Sequence, residues 1–447
     1  MDREQLYAMM DQSATDFEKM SDAIWDFAEL RFEEHKAAEC QAEYLRSRGF
    51  DVTVGVGKLA TAVVAEFGSG SPVIGIMGEY DALPGLSQEA DALEKCPIEG
   101  KACGQGCGHH LLGTAAVEAA CAVKTLIECG DIQGTIRYYG TPAEEGGGGK
   151  IHMIRYGCFD DLDVAISWHP SPNDTQIITQ TLACIMFHVA FKGVAAHAAV
   201  APDKGRSALD AAELMNIGVQ FLREHIPDGS RIHYGFKDAG GSGSGNVVPD
   251  SAKLLYCVRG KTDVIALDLF ERVRRIAQGA ALMTDTELTE YKVVGSYGGM
   301  LLNRPLADAA YEELTHLIPI PFTQEEIDYA NQYNRVNGAK ENGYSVTLRT
   351  VDNALPFGST DFADVSCVIP SVCLDVTTFA YGTSLHSWPV TAQGKSAGAK
   401  RGMHTAAKAM AGIAVRLCED PELLAAAKAD FAKSTEGYTY QSLLPEL

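Results

Sequence analysis

Four short stretches carry side chains able to do chemistry: Cys107 and His109 in "GCGHH", Glu144 and Glu145 in "GTPAEEGGGGK", His169 in "SWHP" and His386 in "SLHSW". Thiolate, imidazole and carboxylate make a borderline donor set that suits zinc and, with more oxygen, manganese or cobalt. The two adjacent glutamates before four glycines pose the sharper question. Neighbouring carboxylates repel each other, and glycine runs make poor helix or strand interiors. Three answers are open: a phosphate loop, a metal site in which the glutamates do different jobs, or a solvated turn. Singly, a His before Pro or a Cys-x-His is an ordinary core or turn feature. The weight lies in the combination, provided the fold brings the stretches together.

The elements that must position them alternate. Apolar residues at helical spacing from about Glu4 to Ala28 predict an opening helix, and "KAAECQAEYLRSRGF" predicts a second that ends at Gly49. "DVTVGVGKLATAVVAEF" reads as strand text, and "SPVIGIMGEYDALPG" as a buried strand entering a turn. "GHHLLGTAAVEAACAVKTLIECG" is a helix with a glycine stop; "GTIRYYGTPAEE" and "DVAISWHP" are strands that deliver the glutamates and His169. The order predicts an α/β sheet, and such sheets gather chemistry at their strand ends. In an extended chain Glu144 and Glu145 would point apart. From Thr179 to about Tyr297 the order becomes β-α-β-β-α-β, the split sandwich of an inserted α+β, ferredoxin-like domain. Residues 1–179 and 297–447 then form one discontinuous domain around an insert of 180–296. Asn303 to Leu355 is the least readable segment.

Two glycine-rich matches to nucleotide motifs fail. Gly55-Val56-Gly57-Lys58-Leu59-Ala60 has dinucleotide spacing but leads into strand-like "TAVVAEF" instead of a helix. "GGGGK" would put Glu144 at the first glycine of a Walker loop and Ile151 at its Ser/Thr, with two carboxylates beside the phosphate.

Composition sets the outer bounds. The 447 residues are 46% hydrophobic and 21% charged, enough for two or three domain-sized units. With 37 basic and 59 acidic residues the formal charge is −22, which disfavours nucleic acid and anionic lipid. No apolar run is expected to span a bilayer, and "MDREQLYAMMDQ" has no signal-peptide pattern, so a cytoplasmic protein is expected. The twelve cysteines are expected to stay reduced, most of them, such as Cys121, Cys129 and Cys418, in the core.

The motifs "GEYDALPGLSQ", "GHHLLGTAA", "GTPAEEGGGGK", "GCFDDLDVAISWHP", "FKGVAAHAA", "NVVPD" and "GSTDFADVS" together resemble the dinuclear-metal amidohydrolases. That superfamily includes carboxypeptidase G, the aminoacylases and the auxin-conjugate hydrolases, and the resemblance is strongest to its p-aminobenzoyl-glutamate hydrolase group. It covers nearly the whole chain. It implies a metallopeptidase-like mixed-sheet catalytic domain, with the insert as lid or dimerisation domain. It also implies cleavage of an N-acyl or N-aroyl amino acid, p-aminobenzoyl-glutamate favoured, by a metal-held water. A dipeptidase, or a non-catalytic partner of a hydrolase pair, is the alternative. Cys107, His109, Glu145, His169 and His386 match the ligands of two divalent ions, Mn or Zn, with Cys107 at the bridging position. Glu144 matches the general base, and the glycines are expected to leave room for substrate. Asp81 matches an acidic residue that orients a ligand. His197 matches a histidine that polarises the scissile carbonyl, Asn246 a substrate-binding asparagine, and Arg259 a clamp for the substrate carboxylate. A homodimer, or a heterodimer with a related chain, is expected. Two departures stand out: His110 where relatives have Asn or Asp, and Cys96 and Cys103 shortly before Cys107.

Overall fold

The computed structural model describes residues 2–241 and 244–447. They divide into two compact units, Met1–Thr179 with Leu301–Pro356 and Val365–Tyr440, and Gln180–Met300 with Phe357–Asp364 and Gln441–Leu447.

The first unit is built on a seven-stranded mixed sheet. Its strands run in the order Asp51–Val54, Val63–Ser69, Gly134–Gly140, Val73–Gly78, Val164–Ser171, Ser371–Thr377, Gln176–Ile177. The four strands from Gly134–Gly140 to Ser371–Thr377 are parallel neighbours, and antiparallel strands flank them on both sides. Parallel strands are covered on both faces, so they read as continuous apolar text; all eight residues of Val164–Ser171 are buried. The helix His109–Cys129 packs on Val73–Gly78, with Arg3–Phe27 and Ala397–Glu419 against it. Its alanines at 115, 116, 119 and 120 are wholly buried and let those neighbours approach closely. Against expectation, this helix is long and apolar enough to cross a membrane, but 89% of its most apolar window is buried in the protein. Gly130, in the left-handed region at φ 77°, terminates it.

The second unit is a four-stranded antiparallel sheet, ordered Arg231–Asp238, Ser251–Gly260, Ala183–Lys192, Glu287–Tyr297, with the helices Ala208–Arg223 and Asp263–Thr284 packed against it. Along Ser251–Gly260 every second residue is buried, as one covered face requires. Ser207 and Thr262 cap the two helices by accepting from Asp210 N–H and Ile265 N–H, each cap worth roughly 1 kcal/mol.

Several expectations are corrected. The strand text over Asp51–Phe67 resolves into two antiparallel strands, Asp51–Val54 and Val63–Ser69. Between them Val56–Lys58 make one 3-10 turn, so the dinucleotide-like glycines open no α-helix. The unreadable segment holds two helices, Arg304–Thr315 and Gln324–Val336, the second begun by a capping box of Thr323 and Glu326. All twelve cysteines are free; Cys121 is buried, but Cys418 is half-buried and Cys129 is exposed at its helix end.

Candidate metal centre

Each piece of the site hangs from the carboxyl end of a parallel strand or from the helix beside it. Val73–Gly78 leads to Glu79 and Asp81, Gly134–Gly140 to Glu144 and Glu145, and Ser371–Thr377 to His386, while His169 lies inside Val164–Ser171. Cys107 and His109 flank the helix start, joined by Gly108 at φ 84°. A Cβ on Gly108 would sit 2.8 Å from Pro170 Cγ, so only glycine allows this approach.

The glutamate pair is not extended. Residues 144–147 form a turn, with Gly146 N–H donating to Glu144 O at 2.6 Å and Gly147 N–H to Ala143 O at 3.1 Å. Ala143 is held at φ 60°, and its N–H donates to Glu34 Oε1 at 2.9 Å. The turn itself sends the two carboxylates to different neighbours. Nor do the glycines provide open space: a Cβ on Gly149 would lie 1.8 Å from Pro142 O, and one on Gly146 2.4 Å from Arg31 Nη1. They are there so that the backbone can fold tightly.

Three groups of donor atoms result, each with its atoms within 4.8 Å of one another: Cys107, His109 and His169; Cys107, Glu145 and His386; Glu79, His109 and Glu144. Cys107 Sγ lies 3.4 Å from His169 Nε2, and His386 Nε2 3.2 Å from Glu145 Oε1. Asp81 binds two parts of the site at once: its Oδ1 is 2.8 Å from His109 Nδ1, and its Oδ2 accepts Glu145 N–H at 2.8 Å. His386 stands at φ 58°, rare for a residue with a side chain, and its N–H donates to Gly106 O at 2.9 Å, next to Cys107.

Charge in this cluster is strongly coupled. Burial opposes ionisation of Cys107, yet His169 and His109 together hold the thiol well below its ordinary range. Burial likewise opposes the His109 cation, and Cys107, Asp81 and Glu79 raise it. Hydrogen bonding to Cys107 and Glu145 pushes His386 up to about 10. A buried cluster that favours thiolate beside imidazole is what a divalent cation would exploit.

Other residues of interest lie elsewhere. His110 is outside all three groups: its Nε2 pairs with Gly394 O at 2.9 Å, and burial pushes it down to about 3, a neutral ring. Cys96 is exposed, Cys103 sits in the short strand Cys103–Gly104, and neither joins a group. In the second unit His197 and Asn246 are both exposed and adjacent, His197 bridging to Val247 and Ala198 N–H donating to Asn246 O at 2.9 Å. Ala199 N–H donates to His197 Nδ1 at 3.2 Å, which leaves Nε2 as the donor nitrogen of a neutral ring. Arg259 lies opposite Cys184 in the sheet, and its Nη1 donates to Ser359 Oγ at 2.5 Å.

Sequence reasoning missed three members of the first unit. Glu79, two residues before Asp81, contacts His109 from the other side, its Oε2 3.2 Å from Nε2. Lys150, the lysine of the false Walker text, is buried with its Nζ 2.5 Å from Glu79 Oε1. Asp375, in register with His169, is buried, and burial pushes its carboxyl up to about 6. The period of two could have found Glu79; nothing local marks Lys150.

The sequence profile of peptidase family M20/M25/M40 matches residues 75–441. A chain of the p-aminobenzoyl-glutamate hydrolase of Escherichia coli K12 is 42% identical, over 96% of this chain and 94% of its own. The Xaa-Arg dipeptidase of Mus musculus is 29% identical over 94% and 90% of the two chains. A dinuclear metal binding peptidase of the M20 family from Bacillus subtilis superposes with a TM-score of 0.64 at 19% identity, over 92% of this chain and 99% of its own.

Proposed function

The chain belongs to peptidase family M20/M25/M40, and on that premise we propose that it hydrolyses the amide bond of an N-acyl or N-aroyl amino acid, p-aminobenzoyl-glutamate first among them. The observation that carries this reading is the pair of donor groups sharing Cys107, with Glu144 in the group beside them. Two divalent ions, manganese or zinc, fit these donors. The buried His109 Nε2 has no well-aligned hydrogen-bond partner, and Glu145 Oε1 reaches only the exposed His386. Each faces a group of opposite charge tendency at 3.2 Å, an arrangement that a shared cation satisfies. Cys107, His109 and His169 would hold one ion, Cys107, Glu145 and His386 the other.

Bound ions of this kind lower the pKa of water and polarise a carbonyl. The rest of the work falls to side chains. Glu144 takes a proton from the attacking water and returns it to the leaving amine. Asp81 takes the Nδ1 proton of His109 as a hydrogen bond and so turns the Nε2 lone pair to the site. In the second unit His197 Nε2–H suits the scissile carbonyl, Asn246 offers an amide, and the planar fork of Arg259 suits the substrate carboxylate. A dimer, with a second copy or a related chain, is supported by the edge strand Arg231–Asp238. Tyr234 and Phe236 on it are 37% and 41% exposed, and Phe221 on the helix Ala208–Arg223 is 72% exposed.

A dipeptidase is the second reading, favoured by the mouse relative. The test is amino acid release from p-aminobenzoyl-glutamate by purified protein, stripped of metal and refilled with Mn or Zn. Activity that leaves and returns with the metal is the expected result. Two bound ions with no turnover of this substrate, but turnover of dipeptides, would replace it with the second reading.

A further inference from the structure

Glu79 and Asp81 bracket one imidazole, but the two contacts differ in kind. Asp81 Oδ1 meets His109 Nδ1 at 2.8 Å in a hydrogen bond. Glu79 Oε2 lies 3.2 Å from Nε2, and Nε2 makes no hydrogen bond. With the ring proton on Nδ1, Nε2 presents a lone pair. A carboxylate oxygen and an imidazole lone pair then converge on the same point inside the protein, Glu79 being 3% and His109 0% exposed. A carboxylate and an imidazole lone pair aimed at each other in a buried site repel unless a cation lies between them; a second ring proton, which Cys107, Asp81 and Glu79 favour, takes that place without metal, and a metal ion would displace it. Glu144 joins the same group, its carboxylate within 4.8 Å of both.

The other oxygen of Glu79 is committed. Lys150 Nζ, on the wholly buried first turn of the helix Gly149–Arg155, meets Oε1 at 2.5 Å. The lysine therefore fixes the carboxylate's rotation, leaves only Oε2 facing His109, and offsets the extra negative charge.

We propose that Glu79 is a further, single-oxygen ligand on the His109 side of the metal centre, oriented and charge-compensated by Lys150. This rests on the two-ion reading above. It adds an oxygen donor to one side of a Cys/His set, which moves that side toward manganese relative to zinc.

The test is metal binding rather than turnover. Wild type and Glu79→Gln are stripped, then titrated with Mn and with Zn against a competing chelator, and the Co-substituted forms are compared by visible absorption. Glutamine keeps the size and can still accept from Lys150. The expected result is two ions in wild type and, in the variant, one ion held about 10–100-fold more weakly. Manganese should lose more than zinc, with an altered cobalt spectrum. Unchanged affinities and spectrum in a folded Glu79→Gln variant would overturn the role of Glu79 and leave the two-ion reading intact. Wild type binding fewer than two ions would overturn the two-ion reading itself. Should Glu79→Gln not fold, the double variant Glu79→Gln/Lys150→Met removes both buried charges together, and the same two outcomes are read from it.

Discussion

In the first unit most of the candidate chemistry is buried and cross-linked: Cys107, His109 and His169 are 6%, 0% and 8% exposed, Glu144 and Glu145 are half-buried, His386 stands at the exposed end, and Asp81, Glu79 and Glu34 tie the ligand-bearing segments together. In the second unit His197 and Asn246 are exposed on a loop, and Arg259 leans on Ser359. The contrast separates two tasks. Donors for a cation must converge before the ion arrives, so the fold meets the cost of burying like charges through strand ends, a forced turn and second carboxylates. Groups that meet a substrate can stand on exposed backbone, each making few contacts.

Breaking that contrast should have graded effects. The largest is expected from Glu144→Ala, which should lower turnover by about 10²–10⁴-fold while metal analysis still finds both ions; turnover near wild type would remove Glu144 as the base. Next, Cys107→Ala should weaken both ions, by at least about 10–100-fold each, whereas His169→Ala should weaken one. Equal loss in the two variants, measured by dialysis and elemental analysis, would argue against Cys107 as the shared donor. In the second unit Arg259→Ala should raise KM by about 10–100-fold, as expected for lost charge-assisted hydrogen bonds of roughly 1.5–3 kcal/mol, and move kcat less. A substrate with its carboxylate amidated should erase the difference between variant and wild type, and a persistent difference would deny Arg259 that contact.

The smallest effect concerns Glu34, which holds the turn before Glu144. Burial, aided by the charge of Asp81, pushes its carboxyl up from 4.5 to about 7. A raised carboxyl means that the folded state binds the proton more tightly. The associated stability is complete below about pH 4.5 and is lost as pH rises through about 7, some 1–3 kcal/mol in all. Glu34→Gln can keep the contacts to Ala143 N–H and Thr61 Oγ and should flatten this part of the stability–pH curve in chemical denaturation. An unaltered slope would show that Glu34 titrates normally.

Much of this organisation was legible along the chain. Helical spacing and glycine stops marked His109–Cys129, and β-branched runs marked the strands whose ends carry Asp81, Glu145 and His169. The α-β alternation, and its change near Thr179, follow from local periodicity, which depends on neighbours a few residues away. Arg304–Thr315 and Gln324–Val336 escaped because they are short and polar on average, with buried faces carried largely by alanines, Leu306, Leu314 and Tyr333, although Asn303 before Pro305 and the Thr323/Glu326 box were local signals of helix starts.

What the amino-acid order by itself determined was the inventory: which donors exist, at which strand ends, and that no phosphate loop fits the glycines. Only the tertiary structure decided how they are used. The turn at residues 144–147, the closeness of His386 to Glu145, and the neutral His110 bound to Gly394 all depend on partners up to 284 residues away. The buried Lys150–Glu79 pair is the plainest case, joining residues 71 positions apart. A charge is tolerable inside a protein only with a partner at a few ångströms, and sequence spacing does not encode that distance.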